Sequence, residues 1–145
     1  MVALATTAAG ADATPTASLR SLAARYVAIA EAGNRRLEKD FDPLEGRDRN
    51  NLPRARADLL DAAATEQLFD RRLLAIAFPP AIERLARELY SVNQRRAALT
   101  IGAAASTSVS AVHTYEPVLD AANGPVERWV DALRHALGLP PASTS

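Results

Sequence analysis

Two adjacent prolines, Pro79 and Pro80, end the segment FDRRLLAIAFPP and constrain what this chain can fold into more than any other feature. Apolar residues recur at three- and four-residue spacing from Phe69 onwards, which predicts a helix with one apolar face up to Phe78. Pro79 disfavours the α conformation at Phe78, whereas Pro80 lacks an N–H that the first turn of a helix does not use. We therefore expect one helix to end at the two prolines and another to begin there.

The two helices that meet at the prolines are predicted to form an antiparallel hairpin. They span residues 53–78 and 80 to about 105, with almost no loop between them. Connections this short make neighbouring helices antiparallel. Each helix has an apolar stripe, formed by Leu59, Ala62, Phe69, Leu73 and Ile76 in the first and by Ile82, Leu85, Leu89, Val92, Leu99 and Ala103 in the second.

Composition places this hairpin in an all-α protein. The chain has 145 residues, the size of one domain, and 48% of them are hydrophobic, with alanine contributing much of that fraction. Few aromatic residues and many alanines favour helices over sheets. The 17 basic and 17 acidic residues form no basic arm, which argues against nucleic-acid binding. Cysteine is absent, so disulfides and thiolate chemistry are excluded.

A further helix is predicted before the hairpin, beginning near Ser18, whose hydroxyl can cap it. Residues 1–17 in front of it are small and polar, and they indicate a tail or tether. Gly33 lies inside this helix at a cost of about 1 kcal/mol relative to alanine, so it marks either a close helix crossing or a site where something packs on bare backbone. Residues 41–53, FDPLEGRDRNNLP, predict a long loop before the hairpin.

The last helix is predicted from about residue 108 to residue 137. The pair Gly124-Pro125 predicts a kink or a break near its middle. Gly138 is expected to cap its C-terminus, and residues 139–145 are expected to form a tail.

Four helices with one shared periodicity predict an all-α, up-down-up-down antiparallel four-helix bundle over residues 18–138. A last helix that is split near Gly124 leaves this topology unchanged.

Charged residues interrupt the apolar stripes of the hairpin. Glu66 occupies a stripe position in its first helix, and Arg96 does so in its second. A buried arginine without a partner is costly, so we expect Arg96 to reach a carboxylate, Asp61 first and Glu66 second, and to form a polar layer in the bundle. If Arg96 instead lines a cavity, it is the candidate anion-binding residue of this chain.

No group of residues predicts catalysis, a metal or a cofactor. The two histidines, His113 with Glu116 and His135 with Asp131, do not form the Glu-x-x-His pairs of a di-iron bundle. Serine, histidine and aspartate residues are scattered, without the strand-turn-helix frame that a nucleophilic serine requires. We therefore predict a non-enzymatic protein with no catalytic residues, no metal and no cofactor.

The segment around the prolines also carries a family resemblance. An acidic residue, a Leu/Ile stretch and an aromatic-Pro pair follow one another, here as Asp70, Leu73, Ile76, Phe78 and Pro79. Together with Tyr26, Asn34 and the closing LGLPP at 137–141, they make residues 20–141 resemble a group of actinobacterial exported proteins and lipoproteins of unknown function. The resemblance implies an extracytoplasmic helical bundle, usually tethered by a lipidated cysteine before a small, polar spacer. Since this chain lacks cysteine, the resemblance places a membrane tether upstream of Met1.

Two hypotheses about function follow. The first is a non-enzymatic domain of the cell envelope that binds a partner protein or a small ligand. The second is a cytosolic regulatory or oligomerising bundle. An upstream apolar segment that ends in a lipidated cysteine would support the first hypothesis, whereas a native Met1 would contradict it.

Overall fold

The computed structural model describes residues 17–142, and these are helical over most of their length. The helices are α1 (Leu19–Glu45), α2 (Leu52–Leu74), α3 (Pro80–Ala104), α4 (Val109–Thr114) and α5 (Glu116–Ala136). Most of the predicted N-terminal tail and the last residues, 143–145, lie outside the described part of the chain.

The helices form the predicted antiparallel bundle, in which α1 packs on α2, α2 on α3, and α3 on α5. One end of the bundle joins Leu22 at the start of α1, Leu73 at the end of α2, Ile82 at the start of α3 and Leu133 at the end of α5. Alternating starts and ends at the same place require an up-down-up-down path. The prediction of an all-α four-helix bundle is therefore confirmed, with α4 and α5 together forming its fourth helix.

Polar side chains and one glycine set the helix ends. The Ser18 hydroxyl accepts a hydrogen bond from the Ser21 N–H at 3.1 Å, and Ser108 accepts one from Ala111 at 3.1 Å. Gly138 has a φ of 70°, a conformation that glycine adopts without strain, and it ends α5 with N–H bonds from 138 and 139 back to the last helical turn. The caps predicted at residues 18 and 138 are confirmed.

The long loop predicted at 41–53 is largely helical, and that prediction is wrong. Helix α1 continues through Pro43 to Glu45, and α2 begins at Leu52. Phe41 and Leu44 pack against buried residues of the bundle, so apolar contact holds this last part of α1 helical despite the proline. The connection is reduced to residues 46–51, whose last residue caps α2.

The predicted break at Gly124-Pro125 is also wrong, because the last helix bends at Tyr115 instead. Pro117 lies in the first turn of α5, where a missing N–H removes no hydrogen bond, and the Tyr115 ring packs against the backbone of Gly102. At Pro125 the helix continues without a break. The last helix therefore bends next to Pro117, because a proline in the first turn of a helix removes no backbone hydrogen bond.

The corner between α2 and α3 is longer than predicted. Helix α2 ends at Leu74, and residues 75–79 cross to Pro80. Ile76 and Phe78 are buried and Ala77 between them is exposed. The Phe78 N–H donates to the Ile76 carbonyl oxygen at 2.9 Å, so the crossing makes a γ-turn at Ala77 that leaves both flanking side chains in the core. Its length carries α3 past the end of α2 before the chain turns back.

Two clusters of buried apolar residues divide the bundle. The corner cluster lies at the end near residues 75–79 and consists of Leu22, Ala23, Tyr26, Leu73, Ile76, Phe78, Ile82, Ala86, Leu89, Leu133 and Leu137. The far cluster lies at the opposite end and consists of Leu59, Ala103, Ala104 and Val112. Between the two clusters, polar side chains of α2 and α3 lie in the interior of the bundle.

Candidate functional site

An open cleft lies at the corner between α2 and α3. Its volume is about 280 Å³, and it is lined by Leu73, Leu74, Ile76, Ala77, Phe78, Glu83, Ala86 and Arg87. The cleft exists because the first turns of α3 extend beyond the last turn of α2 and the crossing chain lies between them.

The floor of the corner cleft is apolar and rigidly packed, whereas its rim is partly charged. Leu73 is fully buried, and Leu74 beside it is 41% exposed on the cleft wall. At the rim, Arg87 donates from Nε and Nη2 to the same Glu83 oxygen, at 3.0 and 2.6 Å. The cleft therefore leaves apolar surface of Leu74 open to solvent beside a buried apolar floor.

A polar layer in the bundle interior joins Glu66 to Arg96. The Arg96 Nε lies 3.3 Å from Glu66 Oε1, and the two side chains are 20% and 1% exposed. Neither carboxyl oxygen of Glu66 accepts a hydrogen bond from the described residues. Burial raises the pKa of Glu66 to about 7, while the Arg96 charge lowers it and the Asp70 charge raises it.

Asp70 extends this layer toward α3. Its two oxygens accept hydrogen bonds from Asn93 Nδ2 at 2.8 Å and from Gln94 Nε2 at 2.6 Å. Burial raises the pKa of Asp70, and the two amide hydrogen bonds act in the opposite direction. We name Glu66, Asp70, Asn93, Gln94 and Arg96 together the polar layer.

The structure pairs Arg96 with the second of its two predicted partners. Asp61, expected to be the first, is exposed on α2, whereas Glu66 is buried beside the guanidinium. The reason is the overhang of α3, which shifts its residues along α2 relative to a tight corner. Arg96 does not line the corner cleft. Anion binding by Arg96 stays a prediction, and an anion there would have to compete with the Glu66 carboxylate.

The polar layer contains a carboxyl group that can hold a proton, but the side chain of that group, Glu66, has almost no contact with solvent. Glu66 has the raised pKa of a general acid or base, yet its side chain is almost fully buried and does not line the corner cleft. A carboxyl group acts on a substrate only when the substrate reaches hydrogen-bond distance. The contacts of this layer join α2 to α3 and so fix the register of the two helices.

Other residues noted in the sequence lie apart from the cleft. Gly33 faces Phe69, which a Cβ on Gly33 would meet at 3.8 Å, an ordinary contact, so no close helix crossing requires the glycine. His113 is hydrogen-bonded to Glu116 at the surface, and His135 is exposed. Across residues 17–142, no group of three or more potential ligands could hold a metal ion. In the same range, no helix combines the length and hydropathy needed to cross a bilayer.

The sequence pattern missed the exposed wall of the corner cleft. Leu74 widens the apolar stripe of α2, and stripe periodicity assigns it to the core. Only the structure shows that, within residues 17–142, no segment covers Leu74. The one available signal was the residue pair before the prolines, since a proline forces its predecessor into an extended conformation.

Comparison with known proteins adds no relative to this geometry. No family model, no curated protein and no solved structure matches the chain.

Proposed function

We propose that this protein is a non-enzymatic domain of the cell envelope that binds a partner protein at the corner cleft. The observation that carries the proposal is the cleft itself, with the exposed Leu74 on a floor of buried side chains. Binding surfaces that exclude water around a few apolar side chains supply most of the free energy of protein association.

A partner protein fits the cleft better than a small ligand does. Pockets for small molecules enclose most of the ligand and usually have volumes of about 300 to 1,000 Å³. This cleft has a volume of about 280 Å³ and is open on one side. An apolar side chain anchored on a larger surface can use such a cleft, because the rest of the partner covers the rim.

The envelope location rests on the family resemblance at Asp70 to Pro79 and on the small, polar segment that precedes the bundle. Such a segment suits a spacer between a membrane anchor and a folded domain. Fractionation of the native host tests it, because an envelope protein sediments with membranes or appears outside the cytoplasm. Recovery of the full-length protein in the cytoplasmic fraction alone would favour the regulatory bundle instead.

Binding at the cleft is tested by site-specific crosslinking in the native host, with Leu74 replaced by p-benzoylphenylalanine. The matched control carries the same group at Val118, which is 44% exposed on α5 and lies outside the cleft. We expect one discrete adduct with a second protein from position 74 and none from position 118. Equal labelling from both positions, or none from position 74, would contradict the proposal.

A further inference from the structure

Exposed apolar side chains concentrate on one face of the α2–α3 hairpin. The large apolar residues exposed above 40% are Leu19, Leu60, Leu74, Ile101 and Val118. Three of these five, Leu60, Leu74 and Ile101, belong to α2 and α3. Whether they share one surface depends on helical spacing and on the register of the two helices.

Helical spacing puts these three residues on the face that contains the corner cleft. Leu74 and Arg87 both line the cleft, so they face the same side of the hairpin. Leu60 precedes Leu74 by two heptads, and Ile101 follows Arg87 by two heptads. Residues two heptads apart in a helix differ by only about 40° in direction and lie about 21 Å apart along the axis. Leu60 and Ile101 therefore lie on the same face, at the opposite end.

The register of the hairpin places Leu60 opposite Ile101. Arg56 Nε donates to the Ala104 carbonyl oxygen at 2.7 Å, and Arg96 lies beside Glu66. Residues one turn after Arg56 are thus level with residues one turn before Ala104. The outer face of the hairpin carries an apolar patch at each end, Leu74 with the cleft at one and Leu60 with Ile101 at the other.

Between the two patches the face is polar and uncharged at its centre. Gln67 lies one heptad from both Leu60 and Leu74, and Gln94 lies one heptad from Ile101. Gln94 is held by its hydrogen bond to Asp70, so it stays in the groove between the helices. Two packed helices leave a shallow groove between them, and on this face that groove has apolar residues at both ends.

The charges on this face are mainly positive. Arg71 lies one turn before Leu74 and Arg56 one turn before Leu60, and neither forms an ion pair within residues 17–142. Glu83 is neutralised by Arg87. A partner that carries carboxylates beside its apolar residues would complement these arginines.

We infer that the partner segment is an acidic amphipathic helix that lies along the outer face of the α2–α3 hairpin, with two apolar anchors about 14 residues apart. A groove between two helices receives a third helix in the same way as the interior of a bundle does. About four helical turns span the distance between the patches. This inference rests on the proposed function and adds the conformation, length and charge of the partner segment.

The inference is tested by extending the crosslinking to both ends of the groove. p-Benzoylphenylalanine is placed singly at Leu74, Leu60 and Ile101, with Leu19 and Val118 as exposed controls on other helices. We expect the three hairpin positions to give an adduct with the same protein. Peptide mapping should place the attachment points of positions 74 and 60 about 14 residues apart in one segment with net negative charge.

Charge reversal supplies the second arm of the test. Arg71→Glu should lower the adduct yield at position 60 about fivefold, because a repulsive charge replaces an attractive one at the rim. The control Arg128→Glu changes an exposed arginine on α5 and should leave the yield unchanged.

The outcomes separate this inference from the proposed function. An adduct from position 74 without one from positions 60 and 101 would overturn the helix and keep the cleft as a binding site. No adduct from any hairpin position would overturn both. An adduct with a second copy of this chain, or attachment in a basic segment, would contradict the inference that the partner segment is an acidic helix of another protein.

Discussion

The two ends of the bundle differ in what holds them together. The corner cluster contains large side chains from all four helices of the bundle, among them Tyr26, Phe78 and Leu89. The far cluster is built on Leu59 and Val112, with two alanines. Because apolar stabilisation grows with buried area, the corner end should be the more stable one. A binding cleft at that end rests on the better-packed part of the molecule.

The ends also differ in where they place charge. At the far end, Asp48 and Asp58 lie close together, and burial and then the Asp48 carboxylate raise the pKa of Asp58. At the corner end, the charged groups that line the cleft lie at its rim. At the far end a carboxyl pair lies beside the smaller core, whereas at the corner end the charged groups of the cleft form an ion pair at its rim.

The largest effect should come from truncating the corner cluster. Phe78→Ala should lower the free energy of unfolding by about 3–5 kcal/mol, because Phe78 is 8% exposed and its ring fills the corner. Val112→Ala in the far cluster should cost only about 1–2 kcal/mol, since fewer methyl groups are lost. Chemical denaturation measures both. Equal losses at the two ends would show that they are packed alike.

The polar layer between the ends should make stability depend on pH. The pKa of Glu66 is about 7 in the folded protein and 4.5 in the unfolded chain, so the folded state keeps its proton to higher pH. The contribution is fully present below about pH 4.5 and is lost as the pH rises through 7, a loss of about 3 kcal/mol. Arg96 opposes this loss and Asp70 adds to it.

Glu66→Gln tests this pH dependence, because an amide does not titrate. Relative to the unmodified protein, the variant should gain stability between pH 5 and pH 8. Asp120→Asn, which removes an exposed carboxylate on α5, is the control for the loss of one negative charge. A profile that is identical with and without Glu66 would mean that its carboxylate is solvated or fully compensated by Arg96.

Much of this architecture could be predicted from the sequence, because local signals determine it. The caps at Ser18 and Gly138 depend on neighbouring backbone, and the charged residues in the stripes, Glu66 and Arg96, were sufficient to predict a polar layer. The bend at Tyr115 depends instead on contact with Gly102 in another helix. No periodicity in a single helix contains that information.

The position of the candidate site was harder to predict for a related reason. It depends on how far residues 75–79 carry α3 beyond α2, and that distance follows from the path of the chain through the γ-turn between Ile76 and Phe78. The sequence predicts the turn but not its length along the axis. An error of a few residues there changed the partner of Arg96 from Asp61 to Glu66.

A smaller, stabilising effect is expected at Gly33 in α1. Gly33→Ala should raise the free energy of unfolding by about 0.5–1 kcal/mol, because alanine favours the helix and its Cβ would meet Phe69 at an ordinary distance of 3.8 Å. Thermal unfolding measures the gain. A loss of stability would indicate that α1 and α2 approach more closely than this distance.

The smallest effect should come from the carboxyl pair at the far end. Asp58→Asn should remove a weak loss of stability with rising pH, since the raised pKa of Asp58 has the same sign as that of Glu66. The change should be smaller than for Glu66→Gln because Asp58 is only partly buried. A larger change in pH dependence for Asp58→Asn than for Glu66→Gln would show that the far-end carboxyl pair contributes more to it than the polar layer does.

The polar contacts between α2 and α3 also limit which substitutions the sequence can accept during evolution. Buried alanines such as Ala62, Ala63 and Ala97 present nearly identical surfaces, so they contribute little to fixing the register of the two helices. A change of register would leave Asp70 without Asn93 and bury an unpaired carboxylate. The alanines are therefore free to drift among small residues, while the acid-amide pair can change only if both partners change together.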